Sequence, residues 1–170
     1  MTTYLGIGTN LGDRNANIRT ALSLLRERVG ELLRCSAPYH SAPVGFVSDN
    51  AFVNVVASFR TPLTPRQLLV ATQDIERLMG RTGKSVNGQY HDRIIDIDLL
   101  LCFADSGKPL TCSTPDLTLP HPRMQERDFV MVPLREIYQN TLTTQSGQTD
   151  TFQQGMRNPC ARDTQGIECK

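Results

Sequence analysis

The sequence predicts an α+β domain, a ferredoxin-like α/β sandwich of βαββαβ order with a mainly antiparallel sheet. Three observations carry this. The apolar period switches between two and about 3.6 residues along the chain. Both helical stretches have a stop signal, and the second also has a start signal. Two strand-like stretches follow one another with no helix between them, which divides the order into two halves. At 170 residues the chain suits one compact domain, able to bury about two-thirds of its unfolded surface.

Tyr4 to Thr9 reads as the first strand, with Leu5 and Ile7 on one face and Gly6 and Gly8 on the other. Bare glycines on a strand let another group approach the backbone closely. Ile18, Ala21, Leu22, Leu25 and Val29 then form a helical stripe that Gly30 stops. Leu32–Tyr39 and Phe52–Arg60 read as the next two strands. Thr64-Pro65-Arg66-Gln67 opens a second helix with a capping box and a proline in its first turn. Leu68, Thr72, Ile75 and Met79 form its buried stripe, and Gly80 ends it. The fourth strand lies within Asp92–Leu101, rich in β-branched residues.

The connections His40–Ala51 and Arg81–Arg93 are too long for simple turns, and loops of that length are usually functional or mobile. The second, with Gly83, Gly88 and few apolar anchors, reads as a segment that closes over a bound ligand. Beyond Asn140 a Thr/Gln/Ser-rich stretch shows no period. The expected division is a folded domain over 1–139 and a polar, weakly ordered tail over 140–170. Eighteen basic against 17 acidic residues offer no basic field for nucleic acid or an anionic membrane. No apolar run reaches transmembrane length, and no signal-peptide core follows Met1. The five cysteines form no C-x-x-C pair, which fits reduced thiols in a cytoplasm.

Asp96 and Asp98 are the sharpest chemical feature. Residues two apart on a strand share a face, so both carboxylates project the same way, ~7 Å apart along the chain. Ile95, Ile97 and Leu99 take the other face. Like charges so placed repel by roughly 2–3 kcal/mol at an effective dielectric near 20. A divalent cation would remove that cost, and hard carboxylate oxygens suit Mg²⁺. Arg81, Lys84 and Arg93 stand nearby in sequence, as an anion brought with the metal would require. The same pattern also fits a wet sheet face whose aspartates point at water. Gly80-Arg81-Thr82-Gly83-Lys84-Ser85 imitates a P-loop, but Leu78 stands where that signature needs its first glycine. The segment also closes a helix, whereas a P-loop opens one.

Three motifs in order carry a family resemblance: Gly8-Thr9-Asn10-Leu11-Gly12; Asp92-Arg93-Ile94-Ile95-Asp96-Ile97-Asp98; and Leu119-Pro120-His121-Pro122-Arg123-Met124 through Arg127 and Phe129. Together they resemble 6-hydroxymethyl-7,8-dihydropterin pyrophosphokinases, folate-pathway enzymes that move pyrophosphate from ATP to a pterin alcohol. The match runs from about Tyr4 to Ile137. The resemblance implies two Mg²⁺ ions on Asp96 and Asp98, with ATP as co-substrate. It implies catalytic roles for Asp96, Asp98, Arg93 and Arg127, and nucleotide contacts from Gln73, Glu76, Arg81, Lys84, Arg93, Leu99, His121 and Arg127. It implies a pterin pocket of Ser41, Ala42, Val44, Phe52, Asn54, Asp96 and Phe129. By themselves, Gln73 and Glu76 would read as an exposed helix face, His121 as a turn residue, and Phe52 and Phe129 as core.

The resulting expectation is a cytoplasmic, Mg²⁺- and ATP-dependent pterin pyrophosphokinase, with small-molecule substrates and no obligatory protein partner. Two alternatives stand beside it. One is a non-catalytic ferredoxin-like module that holds a small ligand. The other is a conventional kinase that transfers only the γ-phosphoryl group.

Overall fold

A computed structural model describes residues 1–81 and 91–142, and the side chains of all of these up to Tyr138. The chain runs β1 (Thr2–Thr9), α1 (Arg14–Arg28), β2 (Glu31–Cys35), β3 (Tyr39–Ser41), β4 (Phe52–Arg60), α2 (Pro65–Leu78), β5 (Asp96–Phe103). A short hairpin, β6 (Cys112–Ser113) and β7 (Thr118–Leu119), follows, then a 3₁₀ turn at Met124–Glu126 and α3 (Asp128–Leu142). Lys84, most of the 82–91 loop and the chain beyond 142 lie outside the described residues. Among the described residues no helix is long and apolar enough to cross a membrane.

The main sheet has the order β2-β4-β1-β5, every neighbour antiparallel, with β3 also paired to β4. That is the strand order of a ferredoxin-like sandwich. The single strand expected over Leu32–Tyr39 is in fact two. Pro38 has no N–H to give the ladder, and Ser36 takes over locally. Its N–H donates to the Val56 carbonyl at 2.9 Å and its hydroxyl accepts from the Val56 N–H at 3.0 Å. Asp92–Ile95 are likewise not strand, and β5 begins at Asp96.

Both predicted helices form for the expected local reasons. Asp13 caps α1 by accepting the Ala16 N–H, and Thr64 with Gln67 closes the capping box of α2, with Pro65 at its first position. Ile18, Ala21 and Leu25 of α1 and Leu68 and Ile75 of α2 are buried in one core. Leu5, Ile7, Val53, Val55, Ile97 and Leu99 meet them there from a single sheet face, joined by Ile95 just before β5.

The opposite face is not bare. Tyr4, Val56 and Leu100 pack against Val130, Met131, Leu134 and Ile137 of α3. The βαββαβ expectation did not include this helix. Its apolar stripe is present in the sequence, but Pro133 lies inside it and removes one helical donor. Burial against the sheet outweighs that loss.

Gly30 shows how tightly α1 returns to the sheet. Its φ is +147°, and a Cβ there would sit 2.2 Å from the Arg60 carbonyl oxygen. Gly30→Ala is expected to cost about 2–4 kcal/mol through backbone strain and a clash with main chain that cannot step aside. The check is the urea midpoint at constant slope; an unchanged midpoint would show that this corner is loose.

Candidate active site

The sheet register creates the site. Gly8 pairs with Asn54 on one side and Asp96 on the other, while Gly6 pairs with Val56 and Asp98. Side chains directly opposite share a face, so the aspartates and Asn54 flank a lane of two glycines on the face shared with α3. A cavity of about 250 Å³ opens over this lane, near the small end of the range of ligand pockets. A Cβ on Gly8 would lie 2.9 Å from Asn54 Oδ1 and 3.8 Å from the Phe52 ring, so the missing side chain is what leaves the floor open.

Ten residues singled out from the sequence meet here. Ser41, Ala42, Val44, Phe52, Asn54 and Phe129 line the cavity together with Arg93, Asp96, Asp98 and Arg127. The Asn54 amide donates to Ser41 Oγ at 3.0 Å and to the Tyr39 carbonyl at 3.3 Å, which fixes its orientation. The Arg127 guanidinium lies 5.6 Å over the Phe129 ring and 3.5 Å from Asp98. Arg93 Nη1 and Arg81 Nη1 grip opposite oxygens of Asp96 at 2.9 and 2.5 Å. Arg81 also pairs with Glu76, whose Oε1 accepts the Ile97 N–H at 2.7 Å. Arg81 therefore reaches Asp96 around the β5 edge, from the α2 side, with Glu76 behind it.

Other expected residues do not join the cavity. Leu99 is 5% exposed and packs among the helices on the opposite face, so its side chain offers nothing to this site. Gln73 is half-buried on α2. His121 sits beside the cavity, its N–H bonded to the Leu100 carbonyl and its Nδ1 accepting the Arg123 N–H at 3.3 Å. Gly45, Phe46, Val55, Arg123, Glu126 and Val130 also line the cavity and were not expected there. Arg123 was within a quoted motif, and Phe46 is an aromatic in a long loop, so both had a signal. Nothing in the sequence alone brings Glu126 to the rim.

The charges are finely balanced. The Asp98 carboxyl is pushed up to about 6, first by burial and then by the Asp96 charge, against the pull of Arg127. Its side chain keeps 37% of its exposure through the cavity that it lines. Glu76 is pushed up to about 7, chiefly by burial, with Arg81 opposing. Burial and the neighbouring Arg127 and Arg123 lower the His121 value, leaving a neutral imidazole able to donate one hydrogen bond. Two carboxylates among three guanidinium groups suit a ligand that brings both metal and anion.

Residues 4–139 match the family model described as 7,8-dihydro-6-hydroxymethylpterin-pyrophosphokinase, HPPK. The chain belongs to the HPPK family. A 2-amino-4-hydroxy-6-hydroxymethyldihydropteridine pyrophosphokinase of Porphyromonas gingivalis is 49% identical over 134 residues, covering 79% of this chain and 88% of that protein. The Bacillus subtilis protein of the same name is 35% identical over 155 residues, covering 91% of this chain and 87% of its own. Among solved structures, a crystal structure of HPPK-DHPS in complex with substrates superposes with a TM-score of 0.58 at 16% identity. It covers 80% of this chain, which spans about two fifths of that longer one (40%). At that identity the likeness speaks for the fold, which the HPPK chain shares.

Proposed function

We propose that this chain transfers pyrophosphate from ATP to 6-hydroxymethyl-7,8-dihydropterin, releasing AMP and the pterin diphosphate, as a Mg²⁺-dependent step of folate synthesis. The observation that carries the reading is the glycine lane: Asn54, Gly8 and Asp96 stand in one row across the sheet. A flat heterocycle lying on Gly6 and Gly8 would have its edge against Asn54 and its substituent at the aspartates. Phe52 and Phe129 supply aromatic faces for it.

Asp96 and Asp98 would hold the metal, and we assign two ions to them. No group of three or more His, Cys, Asp or Glu side chains suited to a metal occurs among the described residues. Two carboxylates alone are a sparse set, which fits Mg²⁺ because it commonly takes its remaining oxygens from substrate phosphates and water. When bound, the metal would neutralise phosphate charge and make the β-phosphorus more electrophilic. Arg93 and Arg127 stand where a phosphate chain at the aspartates would pass, and arginine can grip phosphate oxygens in a fork. Arg81, Lys84, Gln73, Glu76 and His121 complete the nucleotide side in this reading, and Leu99, whose side chain is in the core, could join them only through its main chain. No side chain is assigned as a general base. Positioning and charge stabilisation carry the rate. We place the activity in residues 1–139, in the cytoplasm, with ATP and the pterin as the only partners required.

The test is product analysis. Purified protein given Mg²⁺, ATP and the pterin alcohol is expected to form AMP in step with pterin diphosphate. ADP in place of AMP would mean attack at the γ-phosphorus and an ordinary kinase. Tight pterin binding without nucleotide turnover would mean a binding module.

A further inference from the structure

Asn10, on the turn after β1, is 2% exposed and joins three stretches of chain. Its Nδ2 donates to Asp92 Oδ1 at 2.6 Å and to the Asn50 carbonyl at 3.2 Å. Its Oδ1 accepts the Arg93 N–H at 2.8 Å, and its own N–H donates to the Arg93 carbonyl at 3.1 Å. The second Asp92 oxygen accepts Asn50 Nδ2 at 2.6 Å. One carboxylate thus faces two amide donors, one on the β1 turn and one at the end of the 42–51 loop. Hydrogen bonds from Ser48, Asn50 and Asn10 hold that carboxyl below its ordinary value, so it is a carboxylate.

The 42–51 loop has little else to hold it. Val44 is 61% exposed and Val47 fully so, and Phe46 meets Phe52 edge-on at 6.2 Å between ring centroids. Val44, Gly45 and Phe46 nevertheless form a wall of the cavity. The ties are polar and gathered at the far end, where Arg14 Nη1 also donates to the Ala51 carbonyl at 2.7 Å. Hydrogen bonds on an exposed loop add little to global stability, because water competes for both partners. Their effect belongs to preorganisation, which reduces the ordering cost of binding.

We propose that Asp92 is a positioning residue: through Asn50 it clamps the 42–51 loop onto the cavity and so sets affinity for the pterin. This rests on the function proposed above. The same carboxylate, through Asn10, steadies the backbone of Arg93, whose guanidinium holds Asp96. The loop wall and the charged end of the site thereby share one anchor.

A swap of donor and acceptor tests it. Asn50→Asp sets two carboxylates face to face, and should raise the pterin dissociation constant about tenfold, the scale of one charge-assisted hydrogen bond. Titration calorimetry with Mg²⁺ and a non-hydrolysable ATP analogue reads that constant. Affinity for the analogue itself should change less than about twofold, well under one such bond. Amide exchange of residues 44–52 in the ligand-free protein should speed up. Adding Asp92→Asn restores one donor facing one acceptor, and should recover both pterin affinity and slow exchange. Unchanged exchange in Asn50→Asp, or a double variant as impaired as the single one, would overturn the clamp. So would equal loss for both ligands. The exchange comparison needs no reaction: if wild-type protein neither binds the pterin nor forms AMP, the proposed function fails while exchange still decides the clamp.

Discussion

Asp98→Asn is expected to leave the protein folded and reduce turnover about a thousandfold or more, a loss of ~4 kcal/mol in transition-state stabilisation. Asparagine keeps the shape of the side chain but is a far poorer metal ligand than a carboxylate. The fold should tolerate the change because the native charge is already costly. Asp98 has a folded value of about 6 against an ordinary 3.8, so the native state takes up a proton more readily than the unfolded one. A group raised in this way destabilises the fold above its folded value, and the cost disappears as pH falls below the unfolded value. The variant should therefore match or exceed wild-type stability above pH 6 and converge with it in acid. Calorimetric titration with Mg²⁺ and an ATP analogue should show lost metal-dependent binding alongside the lost turnover. Full turnover at saturating Mg²⁺ would end the assignment of Asp98 as a metal ligand.

Gly8→Val should be nearly as severe, by another route. Gly8 lies within β1 with no left-handed backbone, and valine favours strands, so the sheet should survive. The new side chain would stand in the lane between Asn54 and Asp96. Even its Cβ falls 2.9 Å from Asn54 Oδ1, so the whole amide would have to turn and its Nδ2 would leave Ser41 Oγ and the Tyr39 carbonyl. The pterin should lose at least about 3 kcal/mol of affinity, more than a hundredfold, from blocked space and a displaced partner. Nucleotide binding should be nearly unaffected, because Arg81, backed by Glu76, reaches Asp96 from the other side of the β5 edge. Pterin binding within tenfold of wild type would show that the ring does not lie on the glycine lane.

Much of this arrangement was legible in the chain. The pairing of Asp96 with Asp98 on one strand face, opposite Ile95, Ile97 and Leu99, follows from the period of two alone. So do the bare glycines of β1, and the caps of α2 follow from local hydrogen-bond chemistry. What stayed hidden was whatever depends on residues far apart. The break at Pro38 could have been read, since a proline cannot feed the ladder, and the apolar positions of α3 were visible despite Pro133. The convergence of Asn10, Asn50 and Asp92 could not, because each is an ordinary loop residue until three segments meet.

By itself, then, the sequence determined β1, α1, β4, α2 and β5, the faces on which their side chains lie and, through its motifs, the family. These are local properties, set by backbone geometry and by spacing within a few residues. The tertiary structure decided that Gly8 stands between Asn54 and Asp96, that α3 covers the face bearing the aspartates, and that Leu99 turns away from them. Those are matters of register and layer packing. They depend on which strands pair and on burial of apolar area from distant segments, and no short stretch of chain encodes either.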